Sequence, residues 1–387
     1  MKSICLYDQD PFLKEFTAKL VSITENEKGL CLELNQTVFF PEQGGQSSDI
    51  GILGGFHVYD VQINQGTILH YCTNEGNIPL PKPGDEIRGA IDWEHRFNNM
   101  QQHSGEHVFT GLCHNEYGAE NVGFHLSDNT VTLDLNINLG PEQIAHIERE
   151  ANLVIARDLP IKAYYPSKEE AQEIVYRSKK EIDSDLRLVE IEGIDTCACC
   201  APHVKTTGQI GMIKVVSFNK YKGGTRVYIA CGLRALADYN RRMDLLARSY
   251  QALSCSEDDL PDKVADMIAA NKNLQFQLSS LKGQILMEQV SKTDPNENKL
   301  LIFTTGADVK NMREGINSFL KTHDGEAFIF SGDDVNGYNF VIGSNISDCM
   351  EISRNIKDRF RGKWGGSSKM IQGNLLACEK DIRKMFE

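Results

Sequence analysis

Apolar positions change their rhythm along the chain, and each change predicts a different kind of element. From residue 1 to about 90 the runs are short and alternate or stay apolar, as in Thr17-Ala-Lys-Leu-Val-Ser-Ile23 and Gly29-Leu-Cys-Leu-Glu-Leu34. Turn residues punctuate them at Glu25–Gly29, Gly44–Gly45, Gly54–Gly55 and Asn64–Gly66. A period of two broken by Gly and Asn reads as strands joined by tight turns, and roughly six or seven of them predict a small β-barrel. Pro79-Leu-Pro-Lys-Pro-Gly84 closes this segment.

From Trp93 the pattern turns helical, and Pro141 to Ala156 repeats its apolar residues at the 3.6 period with Pro at the first helical position. Strand runs follow at Ile161–Tyr165, Leu186–Glu192, Ile210–Phe218 and Thr225–Ala230. Helices on an antiparallel sheet, an α+β layer, are the expectation for 91–235. Between 236 and 290 no strand pattern remains. There Val264, Met267, Asn271, Leu274, Leu278, Leu281 and Ile285 step by three and four alternately, as the a and d positions of a coiled coil do. With Asn271 at an a position, this stretch is expected to be a helical connector that pairs with itself or with a second copy, making a homodimer. Residues 291–387 read as a separate α/β domain, with strands at Leu300–Phe303, Ala327–Phe330 and Asn339–Gly343 and a glycine-rich loop, Gly362-Lys363-Trp-Gly365-Gly366-Ser-Ser-Lys369, running on to Gly373. Glycines let backbone amides approach an anion, and the lysines bring charge. The fold class is therefore α+β: barrel 1–90, core 91–235, coiled-coil-like connector 236–290 and C-terminal α/β domain 291–387.

Composition narrows the function. A length of 387 residues predicts two to three domains, and 41% hydrophobic with 25% charged residues describes a globular protein. No run reaches the roughly eighteen apolar residues of a membrane span, and Asp8 and Asp10 interrupt any signal-peptide core; a cytoplasmic protein is expected. The net charge of −13 excludes a chain that coats nucleic acid nonspecifically. Local basic tracks remain at Arg177–Lys180, at Lys214, Lys220, Lys222 and Arg226, and from Arg354 to Lys369.

The chemistry concentrates in two short stretches. Met100-Gln-Gln-His103-Ser-Gly-Glu-His107 places two imidazoles at i and i+4, on one face of a helix. Asp195-Thr-Cys197-Ala-Cys199-Cys200-Ala-Pro-His203 places a thiolate and an imidazole at the same interval when Cys199 is counted, with Cys197 and Cys200 as alternatives. Nitrogen and sulfur donors of this kind suit Zn2+, and Asp195 is placed to hold a ligand imidazole by its second nitrogen. Glu106 stands between the histidines, not directly after the first as in the HExxH proteases, so a peptidase is not indicated. Eleven cysteines with no secretory signal, three of them crowded at Cys197–Cys200, point to metal binding and away from disulfides.

HxxxH followed at long range by CxxxH resembles the alanyl-tRNA editing domain family, shared by alanyl-tRNA synthetases and AlaX-type proteins. The resemblance continues through Phe39-Phe-Pro-Glu42-Gln-Gly44-Gly45-Gln46, Gly123-Phe-His125 and Gly223-Gly-Thr-Arg226, and the C-terminal loop is similar to that of the DHH-associated domain of the long AlaX form. It implies a metal set of His103, His107, Cys199 and His203. It also implies hydrolysis of serine, and secondarily glycine, from mischarged tRNA(Ala) at a zinc site. Catalytic roles fall to Gly44, Gly45, Gln46 and Ser104, whose hydroxyl would meet that of the serine; substrate or tRNA contacts fall to His125, Arg226, Lys363, Gly365, Gly366 and Lys369. Two positions depart from the family pattern: Gln43 stands where the first glycine is usual, and Cys200-Ala-Pro replaces the Gly-Gly-Thr before His203. Because the chain starts directly at the barrel, a free-standing trans-editing hydrolase is expected. The alternatives are a zinc-stabilised tRNA-binding module without hydrolytic activity and a hydrolase of another aminoacyl ester.

Overall fold

Alternation at the start of the chain becomes a closed sheet because every second side chain has an interior to enter. In the computed structural model, strands Glu15–Asn26, Gly29–Leu34, Thr67–Thr73, Phe56–Asn64, Gly51–Leu53 and Glu86–Ile91 lie side by side in that order, and the last returns to pair with the first. All the pairings are antiparallel. Leu20, Leu32, Leu34, Phe56, Val58, Val61 and Ile68 fill the inside. The structure describes residues 2–76, 78–127, 130–178 and 186–387; Lys179 and Lys180 of the first basic track lie outside the described residues.

The helix that leaves the barrel is Trp93–Tyr117, started by the Asp92 carboxylate accepting from the backbone of His95 and stopped at Gly118 in the left-handed region. Its middle is buried all round, from Asn99 to Cys113. Polar residues survive there because each finds a partner. Gln102 donates to the carbonyl of Cys231 at 2.8 Å and accepts from the same residue's amide at 2.7 Å, and Gln101 donates to the carbonyl of Gln209 at 3.0 Å. At the barrel end Arg96 and Asp49, both fully buried, form an ion pair, and Arg96 also donates to the carbonyls of Pro11 and Val38. That pair fastens helix to barrel.

Against this helix pack two antiparallel sheets. One runs Ile213–Tyr221, Gly224–Cys231, Val131–Leu135 and Asn121–Leu126; the other runs Ile161–Tyr164, Leu188–Ile191 and Asp195–Ala198. Helix Pro141–Ala156 covers the same core, in which Phe109, Leu133, Ile147, Val189 and Val227 meet. Glycines set the closeness. A Cβ on Gly111 would lie 2.6 Å from the carbonyl oxygen of Ile194, and one on Gly105 would lie 2.3 Å from the sulfur of Cys231.

The chain divides into two compact units, Met1–Leu245 and Leu246–Glu387. The second holds the long helix Leu260–Ser291 and a five-stranded sheet in the order Lys299–Thr304, Glu326–Asp333, Gly337–Ser344, Met370–Leu376, Arg361–Gly366. Ile329 and Ala327 face Met312, Ile316 and Phe319, whereas Phe328 and Phe330 face Ile356, Ile382 and Phe386. Both faces are covered, which is why Ala327-Phe-Ile-Phe reads as a continuous apolar run. The glycine-rich segment expected to be a loop is instead mostly an edge hairpin: Arg361–Gly366 pairs with Met370–Leu376, leaving only Ser367–Lys369 as the turn. The cause is Trp364, whose ring packs on Phe340 and donates to Ser353 at 3.0 Å, so the strand has one inward anchor among small residues. Among the described residues no helix is long and apolar enough to cross a membrane.

Candidate metal centre

Helical spacing brings His103 and His107 to one face of Trp93–Tyr117, their rings 5.5 Å apart. The second pair arrives differently. Cys199 and His203 sit in the irregular segment that follows strand Asp195–Ala198 and precedes the short 3-10 turn Thr207–Ile210. The ligand atoms of His103, His107, Cys199 and His203 all lie within 4.8 Å of one another, and the three histidines are 2–3% exposed.

Each imidazole has its Nδ1 engaged by a different part of the chain. His103 donates to Oε1 of Gln46 at 2.8 Å, His107 donates to Oδ2 of Asp195 at 2.8 Å, and Nδ1 of His203 lies 3.0 Å from Oγ of Ser104. With Nδ1 occupied, Nε2 is left as the metal-facing atom in all three rings. The Sγ of Cys199 is 3.6 Å from Nε2 of His103 and 3.3 Å from Nε2 of His203. Zinc bonds of about 2.3 Å to sulfur and 2.0 Å to nitrogen, at the tetrahedral angle, would set these edges at about 3.5 Å. The two sulfur–nitrogen edges therefore stand near the separation a tetrahedral ion requires, and the chemistry of the four donors fits one.

Protonation separates the three neighbouring thiols. Burial acts to raise the Cys199 thiol, but His103 and His203 outweigh it and hold it well below its ordinary value. At Cys197 burial outweighs the opposition of His107 and Arg177 and pushes the thiol up to about 11, and at Cys200 it outweighs Arg187 and pushes the thiol up to about 12. Thiolate is the form that ligates metal, which favours Cys199. Burial likewise pushes His203 down to about 3, leaving it neutral. At His107 burial is outweighed by the hydrogen bond to Asp195, and its pKa is raised. Asp195 would itself be raised by burial, yet His107 and Arg177 hold it below the usual carboxylate value. Cys197 is not remote: it forms a second close group with His107 and Asp195.

The other residues singled out in the sequence are placed as follows. Gly44 and Gly45, both at positive φ, form the two-residue turn between Gln43 and Gln46. The turn is docked on strand Asn121–Leu126, because the Leu126 amide donates to the Gly45 carbonyl at 2.7 Å and a Cβ on Gly45 would sit 2.7 Å from the Phe124 carbonyl oxygen. Gln46 is fully buried; its oxygen holds His103, and its Nε2 has no hydrogen-bond partner among the described residues. Ser104 is fully buried; its Oγ lies 3.0 Å from Nδ1 of His203 and accepts from the Val204 amide at 3.2 Å, so the hydroxyl also backs a candidate ligand. His125 is exposed, and its neighbour Phe124 is the residue whose ring meets His103, at 4.7 Å. Arg226 is paired with Asp134 across the sheet at 2.6 Å and stacks on Tyr221. Lys363, Gly365, Gly366 and Lys369 belong to the second unit, on the hairpin and its turn.

Sequence reasoning missed Phe124 by one position of strand alternation. It also missed the role of Arg177, read only as part of a local basic track: the guanidinium donates to Oδ1 of Asp195 at 2.8 Å and to Oγ1 of Thr110 at 3.0 Å. No local pattern announces such a contact, since donor and acceptor come from segments joined only by the fold.

Residues 186–228 match the family described as the threonyl and alanyl tRNA synthetase second additional domain, and residues 11–95 match tRNA synthetases class II (A). The chain is 25% identical to the alanyl-tRNA editing protein AlaX-L of Pyrococcus horikoshii over 97% of its own length and 96% of the relative's. It is 36% identical to the alanyl-tRNA editing protein AlaX-M of Methanosarcina acetivorans, over 58% of this chain and 96% of that one. Against the alanine–tRNA ligase of Pyrococcus abyssi it is 26% identical, spanning 99% of this chain but 42% of the ligase.

Proposed function

The chain belongs to the AlaX-type alanyl-tRNA editing family, and from that premise we propose that it hydrolyses the ester joining a wrong amino acid, serine first and glycine second, to tRNA(Ala). The observation that carries this reading is the convergence of three imidazoles and one thiol within 4.8 Å of one another, with Cys199 at 3.3–3.6 Å from two of the imidazoles. We assign the ion as zinc, held by His103, His107, Cys199 and His203. Bound there, it supplies a Lewis acid beside the aminoacyl group.

The chain's own residues do the rest. Gln46 accepts from His103 through its oxygen and keeps a buried amide donor without a partner among the described residues. An unmet buried donor costs about 1–3 kcal/mol, which a substrate carbonyl or developing oxyanion would relieve. The Gly44–Gly45 turn has no side chain to keep the RNA end away. His125 and Arg226 lie on the face of the sheet turned away from the histidines, and would contact the tRNA outside its aminoacyl end. Lys363 and Lys369 on the second unit would follow the tRNA body.

One observation favours a second reading. Four protein donors complete a tetrahedron, as structural zinc sites do, and a metal-stabilised tRNA-binding module would need no more. The deciding experiment presents tRNA(Ala) charged with serine, glycine or alanine, with zinc content measured on the same sample. Selective release of serine supports the hydrolase. Tight binding without turnover supports the module, and equal release from any tRNA points to a general aminoacyl-ester hydrolase.

A further inference from the structure

We infer that Arg177 is a positioning residue for the metal centre, acting through Asp195 to hold His107 and Cys199 at a fixed separation. The inference rests on the reading of the cluster as a metal site and adds to it a residue that never touches the ion. Asp195 is buried, with one carboxylate oxygen on His107 and the other on Nε of Arg177, each at 2.8 Å. A carboxylate held at one oxygen can still turn about its side-chain bonds. Held at both, it fixes the plane of the imidazole that donates to it.

Arg177 is itself fixed at both ends. Its backbone lies beside the strand carrying Asp195: its amide donates to the Thr196 carbonyl at 2.8 Å, and its carbonyl accepts from Ala198 at 2.9 Å. Its guanidinium reaches over to Thr110, one helical turn beyond His107. The side chain is only 13% exposed. Arg177 thus spans from the helix that supplies the histidine pair to the strand that leads into Cys199. Thr110 extends the contact by donating to Glu106, which also accepts from Asn121. A lysine at 177 could satisfy one of the two acceptors but not both, because the planar fork is what reaches two targets at once.

The test measures metal affinity, not turnover. Full-length protein, as wild type and as Arg177→Met, Arg177→Lys and Thr110→Val, is titrated against a chromophoric zinc chelator, and the cobalt(II)-loaded forms are compared by visible absorption. Arg177→Met is expected to weaken zinc binding by about 10–100-fold and to shift the cobalt band. Arg177→Lys should recover part of the affinity, and Thr110→Val, which leaves Asp195 its guanidinium, should lose less than either Arg177 variant. Wild-type affinity in Arg177→Met overturns the inference. So does weakened affinity with an unchanged cobalt spectrum, which would mark general loosening of the fold. If Arg177→Met does not fold, Arg177→Lys decides: wild-type affinity and spectrum in that variant overturn the proposal, and a loss in both supports it. A wild-type protein that takes up no metal refutes the site itself, a result distinct from any of these.

Discussion

A histidine sealed in an apolar interior has to stay neutral, and His70 bears that constraint inside the barrel. It is fully buried between the hydroxyl of Thr37 at 2.9 Å and the carbonyl of Leu32 at 3.0 Å, and burial pushes its pKa down to about 4. The unfolded chain takes up a proton at the ordinary value near 6.5, before the folded one does. Stability from this residue is therefore complete above pH 6.5, falls as the pH drops, and is spent below about 4. The loss is on the order of 3 kcal/mol. Urea unfolding at pH 7 and pH 4 should show it, and His70→Gln should flatten that part of the profile. Cysteine reactivity gives a second check: in chelator-treated protein near pH 7, iodoacetamide should label Cys199 ahead of Cys197 and Cys200, with added zinc protecting it, as read by peptide mass. At this scale the sequence revealed residues whose meaning lies in local spacing, such as His103 with His107. It concealed those defined by partners from afar, such as Asp49 with Arg96 and Arg177 with Asp195, and it did not foresee the contact of Ser104 with His203, because spacing says nothing about which layer a hydroxyl occupies.

Helix Trp93–Tyr117 illustrates how an element is fixed by what it touches. Alanine favours a helix over glycine by about 1 kcal/mol, so Gly111→Ala would stabilise an isolated helix. Here the new methyl would press on the Ile194 backbone, which cannot rotate aside, and overpacking of that kind costs about 1–3 kcal/mol. The clash wins. Thermal unfolding should move down by several degrees, and metal affinity should fall with it as the Asp195 strand is displaced. The long periodic elements were readable in advance: the helix from Trp93, the helix at Pro141–Ala156 and the strands flanking Gly29. Strand Asp195–Ala198 was not, since Asp-Thr-Cys-Ala is too short to show a period and holds a single β-branched residue. The hairpin Arg361–Leu376 was hidden by its glycines, which suggest a loop until Trp364 is seen to anchor it.

At the scale of the molecule, the whole candidate ligand set lies in the first unit. Residues 1–245 expressed alone should bind one equivalent of zinc with the affinity of the full chain, measured by chelator competition; a fragment that needs the second unit to hold the ion would refute this. The second unit presents a different surface. The heptad residues of Leu260–Ser291 are exposed, from 42% at Val264 to 63% at Leu274, a seam that a second copy of the chain would cover. Sedimentation should give a dimer for the intact protein and a monomer for the double variant Leu274→Glu, Leu278→Glu. Composition predicted several bodies, and periodicity found their elements. What neither could supply was the mutual docking of the glycine turn, the histidine helix and the cysteine segment.

That docking changes what the ion would be to the chain. His103 and Cys199 are 96 residues apart in sequence, so an ion gripping both ties everything between them into a ring, and a ring of that length removes a large share of the freedom of the unfolded polypeptide. A newly made chain short of zinc would then stay open between its two fastened ends, cut by proteases in the span that the knot should have closed.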